Sequence, residues 1–375
     1  MDLRWSEPEE AFRAEARAWL TENVPHGLPS GDTPDGFKAH LGWERRLYDA
    51  RWAVVSWPVA YGGRDATQWE WLIFEEEYYR AGAPQRVTQN GIFLLAPSLF
   101  EFGTAEQQDR LLPRIAAAQD LWCQGWSEPG AGSDLAAVRS SAARDTARGG
   151  WLLSGQKTWT TRGAFCTHLF GLFRTDPAAE RHRGLTYFLV DLDAPGVTVR
   201  GFERLDGDLG FAEVFLDDVF VSDEDVLGAV NEGWPVAMAT TGSERGLTLR
   251  SPGRFLASAD RLLDRYRSRP DPALRDRVVE SWIDAQAYQL FTLQQVTDIA
   301  DGASPGAASS LNKLFWSELD VRLHETAMEL LGPDGELDGP WPRGFLFSLA
   351  GPIYAGTNEV QRNVVAERIL GLPRK

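Results

Sequence analysis

Apolar residues are spaced differently in three successive parts of the chain. Over residues 1–120 the spacing is helical, and two capping-box sequences, beginning at Ser6 and at Thr104, predict helix starts. Over 121–228 the apolar residues form short runs rich in β-branched and aromatic side chains, separated by glycine and aspartate turns. Three of these runs, predicted to be strands, are Trp151–Leu153, Leu185–Val190 and Ala212–Val221. Helical spacing returns over 229–375. The pattern predicts a helical domain, a β domain and a second helical domain with these bounds.

The second helical region has long periodic stretches followed by a short final one. The long stretches cover 234–266, 271–291 and 311–331. The final helix is expected to be capped by Thr357 and to bury Val360, Val364 and Ile369 on one face. Strands and helices do not alternate along the chain. This order argues against a doubly wound nucleotide-binding fold and predicts the α+β class.

Charge and composition narrow the range of ligands and locations. The chain has 38 lysines and arginines against 54 acidic residues, and its net charge of -16 argues against a nucleic-acid-binding surface. The longest apolar run, 91–100, is far shorter than the roughly twenty residues that span a bilayer, so no membrane segment is expected. The first residues lack the pattern of a secretory signal. We therefore expect a cytoplasmic protein.

Cysteine and histidine contribute little to the expected chemistry. Cys123 and Cys166 are the two cysteines, so no disulfide framework is expected and a reducing compartment fits. The five histidines show no metal-ligand spacing with them. No metal site is therefore predicted.

Two segments more than two hundred residues apart carry the candidate chemistry. Trp126–Asp134 reads as a glycine-rich loop whose amides and hydroxyls can line a polar cofactor, and Ile353–Arg362 reads as a tight turn that runs into a capped helix. The loop is not a dinucleotide fingerprint, because Leu135 stands where the third glycine is needed and no βαβ unit surrounds it. Taken alone, the loop would be interpreted as an ordinary β-turn.

The two segments, together with Gly155–Thr161, resemble the flavin-binding and active-site segments of the acyl-CoA dehydrogenase family. The resemblance extends over most of the chain. It implies an N-terminal helical domain, a central β-barrel and a C-terminal four-helix bundle. It also implies bound FAD, an acyl-CoA substrate and a homo-oligomer, either a tetramer or a dimer.

The resemblance assigns roles to individual residues, with a packed tryptophan or a surface hydroxyl as the plainer alternative for each. A residue matching Trp159 flanks the flavin ring in the family. The cofactor contacts that it implies are Trp126, Ser127, Gly132, Ser133, Trp159, Thr161, Glu329, Gly332, Thr357 and Glu359. The substrate contacts that it implies are Ser133, Arg245, Ala355 and Gly356. The segment at Arg267, Arg269 and Arg275 departs from the family pattern, which leaves open whether these arginines contact the FAD of a neighbouring subunit.

The catalytic base is the main departure from the common family pattern. Ala355 stands where many members carry the catalytic glutamate, and an alanine cannot remove a proton. The isovaleryl and long-chain types carry the base on a helix of the C-terminal domain instead, next to an arginine, and Glu244 with Arg245 matches that position. A buried carboxylate there would have a raised pKa and be a better base near neutral pH. The alternative for Glu244 is a structural ion pair.

The resemblance implies FAD-dependent α,β-dehydrogenation of an acyl-CoA thioester to the trans-2-enoyl-CoA in fatty acid metabolism. Electrons would pass to an electron-transfer flavoprotein. Two alternatives stay open because of the departures described above. One is a non-catalytic or half-active subunit of a heteromeric acyl-CoA dehydrogenase, and the other is a flavin-dependent monooxygenase or oxidase on the same fold.

Overall fold

The computed structural model describes residues 4–245, 251–302 and 306–373, without the side chains of residues 243–245. The α-helices of these residues are α1 (Glu7–Asn23), α2 (Pro34–Asp49), α3 (Gln68–Arg80), α4 (Ala96–Phe102), α5 (Ala105–Ala116), α6 (Gly233–Arg245), α7 (Pro252–Ser268), α8 (Arg275–Ala300), α9 (Ala308–Leu331), α10 (Pro340–Ser348) and α11 (Asn358–Val364). The strands are β1 (Trp122–Gly125), β2 (Ser141–Asp145), β3 (Gly150–Thr161), β4 (His168–Arg174), β5 (Leu185–Asp191), β6 (Val197–Phe202), β7 (Phe211–Ser222) and β8 (Val226–Leu227).

Helix starts follow from local capping chemistry. The capping boxes predicted at Ser6 and Thr104 are confirmed: each hydroxyl accepts a hydrogen bond from the backbone N–H three residues later, and the backbone N–H of the cap residue donates to the side chain at that later position. A third capping box, at Thr67, starts α3 in the same way. None of the helices in the described ranges is both long and apolar enough to cross a membrane.

The strands form one mostly antiparallel sheet of eight strands. Its order is β6-β7-β3-β2-β4-β5-β8, and β1 joins it by pairing in parallel with β4. Most of β7 alternates between buried and half-buried residues, as expected for a strand with one face on the core. In β5, residues Leu185 to Val190 are all buried. The resemblance implies a central β-barrel at this place in the chain. In the described residues the strand pairings run from β6 at one end of the sheet to β8 at the other.

Contacts divide the chain into two compact units. One unit, which we call the sheet unit, comprises Gly27–Asp65 and Gln85–Ser243. The other, which we call the helical unit, comprises Met1–His26, Ala66–Pro84 and Glu244–Lys375. The helices before residue 120 are therefore shared between the units: α1 and α3 belong to the helical unit, whereas α2, α4 and α5 belong to the sheet unit.

The helical unit packs α7, α8 and α9 around one apolar core. Phe255 of α7 lies against Tyr288 of α8 and Trp316 of α9, with ring centroids 5.5 and 6.3 Å apart. α3 packs against both α1 and α7. Arg13 of α1 binds the carboxylates of Glu76 and Glu77 in α3, which fixes these two helices together.

The predicted burial of the last helix is wrong, although its predicted cap is correct. Thr357 accepts a hydrogen bond from Val360 N at 3.3 Å and starts α11. Val360 and Val364 are only half-buried and Ile369 is exposed, while the polar Asn358 and Gln361 are buried. The helix ends at Val364 and a π-helical turn follows, so the side chains do not keep the 3.6-residue period on which the prediction depended.

Candidate functional site

The glycine-rich loop directly follows β1 and is a closed turn. Glu128 and Ala131 exchange backbone hydrogen bonds of 2.8 and 3.0 Å. Gly132 is exposed and would leave open space around a Cβ atom. Ser127, before the turn, is half-buried, and Ser133, after it, is exposed. The loop therefore presents backbone amides and two hydroxyls on a fixed turn, as the sequence predicts.

A buried ion pair anchors this loop to the sheet. Lys157 of β3 is completely buried, and its Nζ lies 2.8 Å from Glu128 Oε1. The same carboxylate accepts hydrogen bonds from the backbone of Arg139 and Ser140, at 2.7 and 2.9 Å. Burial alone would raise the pKa of Glu128, but Lys157 and the backbone donors outweigh burial and hold this pKa below its usual range. The ion pair makes the start of the loop rigid.

A cleft of about 370 Å³ opens beside the same loop. It is lined by Glu128, Pro129, Gly130, Ala137, Arg139, Ser140, Gly155 and Gln156. None of these residues is a predicted cofactor contact. The predicted cofactor residues of the sheet unit therefore do not line this cleft.

Trp159 presents a large aromatic surface to solvent. It lies at an irregularity of β3, has a left-handed backbone with φ of 59°, and is 60% exposed. Its indole is nevertheless held in place, because Phe202 and Phe211 contact it edge-on with ring centroids 5.3 and 5.6 Å away. An exposed indole that is packed in this way fits one side of a planar ring such as isoalloxazine.

Three buried nitrogen donors lie in β1 and directly after it. Trp122 and Gln124 lie in β1, and Trp126 follows at the same two-residue spacing, which places the three side chains on one face. The Nε1 atoms of both tryptophans and Nε2 of Gln124 are buried without an acceptor among the described residues. Buried donors normally find partners. A ring with several carbonyl and nitrogen acceptors, as in a flavin, would suit this face.

Trp126 is among the predicted cofactor contacts, whereas Trp122 and Gln124 are not. The sequence feature that could have predicted them is their two-residue spacing from Trp126, because alternate side chains of a strand share one face. That alternation could not be interpreted before β1 was known to start at Trp122.

Thr161, the last residue of β3, is half-buried. A cluster of charged side chains lies next to it. The next residue, Arg162, places its Nε 2.5 Å from Asp32 Oδ1, and Arg204 places Nη1 2.5 Å from Asp32 Oδ2. Burial alone would raise the pKa of Asp32. The two guanidinium groups outweigh burial and lower this pKa.

Because the pKa of Asp32 is lower in the folded protein than in the unfolded chain, we expect this cluster to lose its stabilising effect in acid. The contribution of Asp32 is complete above its unfolded pKa and decreases as the pH falls through its folded pKa. Urea unfolding between pH 7 and about pH 3 should show this loss. In Asp32→Asn, the slope of unfolding free energy against pH should be smaller; an unchanged slope would contradict the assignment.

Six of the predicted residues of the helical unit lie in two places. Ala355 and Gly356 form a left-handed turn, with φ of 57° and 79°, directly before the cap Thr357 and the exposed Glu359. A left-handed alanine costs about 1–2 kcal/mol, so the surrounding structure must hold it.

Glu329 and Gly332 are at the end of α9. Glu329 Oε1 lies 2.6 Å from Arg277 Nη1, so an ion pair already accounts for this carboxylate. Gly332 has φ of 56° and ends the helix.

The remaining predicted residues lie at the end of α6 and around the connection between α7 and α8. Glu244 and Arg245 are the last residues of α6, and their side chains lie outside the described part of the chain. Arg267, Arg269 and Arg275 are exposed and lie within 4.0 Å of aspartates of their own chain.

Three domain models of acyl-CoA dehydrogenases match most of the chain. The N-terminal domain model matches residues 6–119, the middle domain model 123–219 and the C-terminal domain model 231–370.

Known proteins and solved structures agree with these matches. The chain is 40% identical to the acyl-CoA dehydrogenase IpdE1 of Mycobacterium tuberculosis (strain ATCC 25618 / H37Rv), over 98% of each protein. The structure titled Tcur3481-Tcur3483 steroid ACAD covers 100% of both chains, with a TM-score of 0.89 and 26% identity. The ChsE4-ChsE5 complex from Mycobacterium tuberculosis also covers 100% of both chains, with a TM-score of 0.84 and 27% identity.

These findings confirm the resemblance, the predicted fold of helical, β and helical domains, and the prediction of an oxidoreductase that acts on CH–CH groups. They also imply a flavin cofactor, which the exposed plane of Trp159 and the unpaired donors near β1 fit. The chain belongs to the acyl-CoA dehydrogenase family.

Proposed function

We propose that the chain is a FAD-dependent enzyme that oxidises the Cα–Cβ bond of an acyl-CoA thioester to the trans-2-enoyl-CoA. The main support from the structure is the indole of Trp159, which is 60% exposed and packed at its edges against Phe202 and Phe211, and which suits a planar redox cofactor. Electrons would then pass from the reduced flavin to an electron-transfer flavoprotein. The observed family membership makes this reaction the best candidate.

In this proposal the sheet unit binds the flavin ring through a flat face and a polar edge. Trp159 provides the flat face, while Gln124, Trp126, Ser127 and Thr161 provide donors and hydroxyls. Gly132, Ser133, Glu329, Gly332, Thr357 and Glu359 are proposed as further cofactor contacts on the basis of the family pattern. When bound, FAD supplies the acceptor for the hydride from the β-carbon.

Glu244 is the proposed base that takes the proton from the α-carbon. Ala355 has no group that can accept a proton, and Glu244 occupies the position at which some relatives carry the base. It is the second-last residue of α6, and the last one, Arg245, is our proposed contact of the coenzyme A portion.

The turn formed by Ala355 and Gly356 is the proposed binding place of the thioester group. A backbone amide at residue 355 can stabilise negative charge on the thioester oxygen without any side chain. Ser133 is a second proposed substrate contact.

The titles of similar structures suggest a substrate class and a mode of assembly, which we propose for this chain. One similar structure is titled a steroid ACAD, so we propose a bulky, steroid-derived acyl-CoA rather than a simple fatty acyl-CoA. Two similar structures are named as pairs of chains, so we propose that this chain assembles with a second chain of the same family. Ile353 and Leu370, each 66% exposed in the helical unit, offer apolar area for such a contact.

Anaerobic titration with a panel of acyl-CoA esters tests the reaction. The protein should be expressed alone and with a family paralogue from the same genome, and flavin absorbance followed with straight-chain and steroid-derived thioesters. Bleaching by a steroid-derived ester supports the proposal. A flavin-loaded complex that no acyl-CoA bleaches would reject it, and rapid oxygen consumption without coenzyme A esters would favour an oxidase.

Oligomeric state tests the proposed assembly. Light scattering should give a complex of the two co-expressed chains. If the chain alone forms a flavin-loaded homotetramer or homodimer with full activity, the heteromeric proposal is wrong.

Replacing Trp159 by alanine is expected to weaken flavin binding about tenfold. The indole loses its contact with the ring, and a contact of this size contributes on the order of 1–2 kcal/mol. Flavin fluorescence during reconstitution of the apoprotein would measure the change. Trp151→Phe, in the sheet core rather than at the surface, is the control and should bind flavin normally.

A further inference from the structure

The side chain of Lys313, in α9, is completely buried although it carries an ammonium group. Its Nζ donates to Asn358 Oδ1 at 2.7 Å, and Ser317 Oγ, one helical turn later, donates to the same oxygen at 3.1 Å. Burying a charge is costly unless its partners are well placed. The buried ammonium therefore needs closely placed partners, and Asn358 Oδ1 is one of them.

The amide of Asn358 is oriented by opposite charges at its two ends. Its oxygen faces Lys313, and its Nδ2 donates to Glu318 Oε1 at 3.4 Å. A flipped amide would place its NH₂ group against the ammonium and its oxygen against the carboxylate. The side chain of Asn358, which is 4% exposed, is thereby fixed in one orientation.

Asn358 in turn closes the segment that contains the left-handed turn. Its backbone N donates to Pro352 O at 2.9 Å, which joins the two ends of the segment. Inside the segment, Gln361 of α11 places Nε2 3.5 Å from Ala355 O and is itself completely buried. The turn at Ala355 and Gly356 is thus held at its ends by Asn358 and at its middle by Gln361.

We propose that Lys313, acting through Asn358, is a positioning residue that holds the turn at Ala355 and Gly356 in the left-handed conformation that binds the thioester. The inference rests on the proposed function, which assigns these two residues to the substrate. A non-glycine residue rarely keeps a left-handed conformation without support. Without the buried ammonium, Asn358 loses its fixed orientation and the turn can relax.

The test compares two ligands that differ in one oxygen atom. Flavin-loaded full-length protein, with its partner chain if it requires one, is titrated with a bleaching acyl-CoA and with the matching S-alkyl-CoA thioether, which lacks the carbonyl oxygen. In Lys313→Met, affinity for the thioester is expected to fall about tenfold and kcat about 10- to 100-fold, since an oxyanion contact is weakened. Affinity for the thioether and flavin content per chain should change less than about twofold, because neither depends on the carbonyl contact.

Two further variants make the result specific. Ser317→Ala removes one of the two donors to Asn358 Oδ1 and should produce the same selective loss to a smaller extent. It also serves if Lys313→Met does not fold. Arg322→Gln breaks an exposed ion pair between α9 and Asp284 of α8, neither of which contacts Asn358, and should leave both affinities unchanged.

The outcomes separate this inference from the function on which it rests. If the parent protein is bleached and the variants keep the parent's ratio of thioester to thioether affinity, the positioning role is wrong and the proposed function stands. An equal loss for both ligands indicates a general structural role and also rejects the inference. A flavin-loaded parent that no acyl-CoA bleaches rejects the proposed function and this inference together.

Discussion

Replacing Glu244 by glutamine is expected to slow flavin reduction by an acyl-CoA about 10²- to 10⁴-fold. Glutamine has nearly the same size but cannot accept the α-proton, and a positioned base contributes a factor of this order. Substrate binding should change little, because the variant removes proton transfer rather than a contact. Stopped-flow measurement of flavin bleaching under anaerobic conditions gives the rate directly.

The matched control is Glu232→Gln, which makes the same chemical change at an exposed glutamate just before α6. It should reduce flavin at the parent's rate. Equal rates for Glu244→Gln and the parent would remove Glu244 from its proposed role. A further check is the pH profile of the reductive step: the limb that reports the base should disappear in Glu244→Gln and persist in the control.

Replacing Lys157 by methionine is expected to lower the free energy of unfolding by about 3–5 kcal/mol. The substitution keeps the length of the side chain but leaves the carboxylate of Glu128, whose side chain is 8% exposed, without its cation. The two backbone amides that still bind the carboxylate compensate only in part. Urea unfolding followed by far-ultraviolet circular dichroism would measure the change.

A double-mutant cycle distinguishes the loss of an ion pair from the loss of packing. In Lys157→Met with Glu128→Gln, no unpaired charge remains, so the double variant should be more stable than Lys157→Met alone. If the double variant is instead less stable by the sum of the two single effects, the pair is not coupled and our explanation is wrong. The variants should also bind flavin more weakly, since the loop at Ser127 starts from this ion pair.

The features predicted well from sequence are those that depend on neighbours in the chain. The capping boxes at Ser6 and Thr104 need only residues three positions apart, and the three strands predicted near 151, 185 and 212 all lie within β3, β5 and β7. Local hydrogen bonding and a two-residue period determine such elements largely on their own. The family fold could therefore be anticipated in outline.

The incorrect and missing predictions concern burial and pairing that depend on residues far apart in the chain. The last helix was expected to bury valines, but Asn358 is buried instead, because Lys313 and Ser317 of α9 donate hydrogen bonds to its amide oxygen. No period within residues 357–369 contains that information. The unpaired donors of Trp122 and Gln124 depend on which groups pack around β1. The base, Glu244, could be inferred only because Ala355 lacks the chemistry, and it stays a prediction.

The helical unit is built from segments that are far apart in the chain, and this has a consequence for biosynthesis. Its first two helices, α1 and α3, are made early, whereas α7, against which α3 packs, begins at Pro252. The sheet unit is complete once residue 243 has left the ribosome, but α3, with Trp71, Phe74 and Tyr78 destined for burial, must wait for a segment about 180 residues further on. Contacts over such separations form slowly, so the nascent chain exposes an apolar helix that chaperones would be expected to bind.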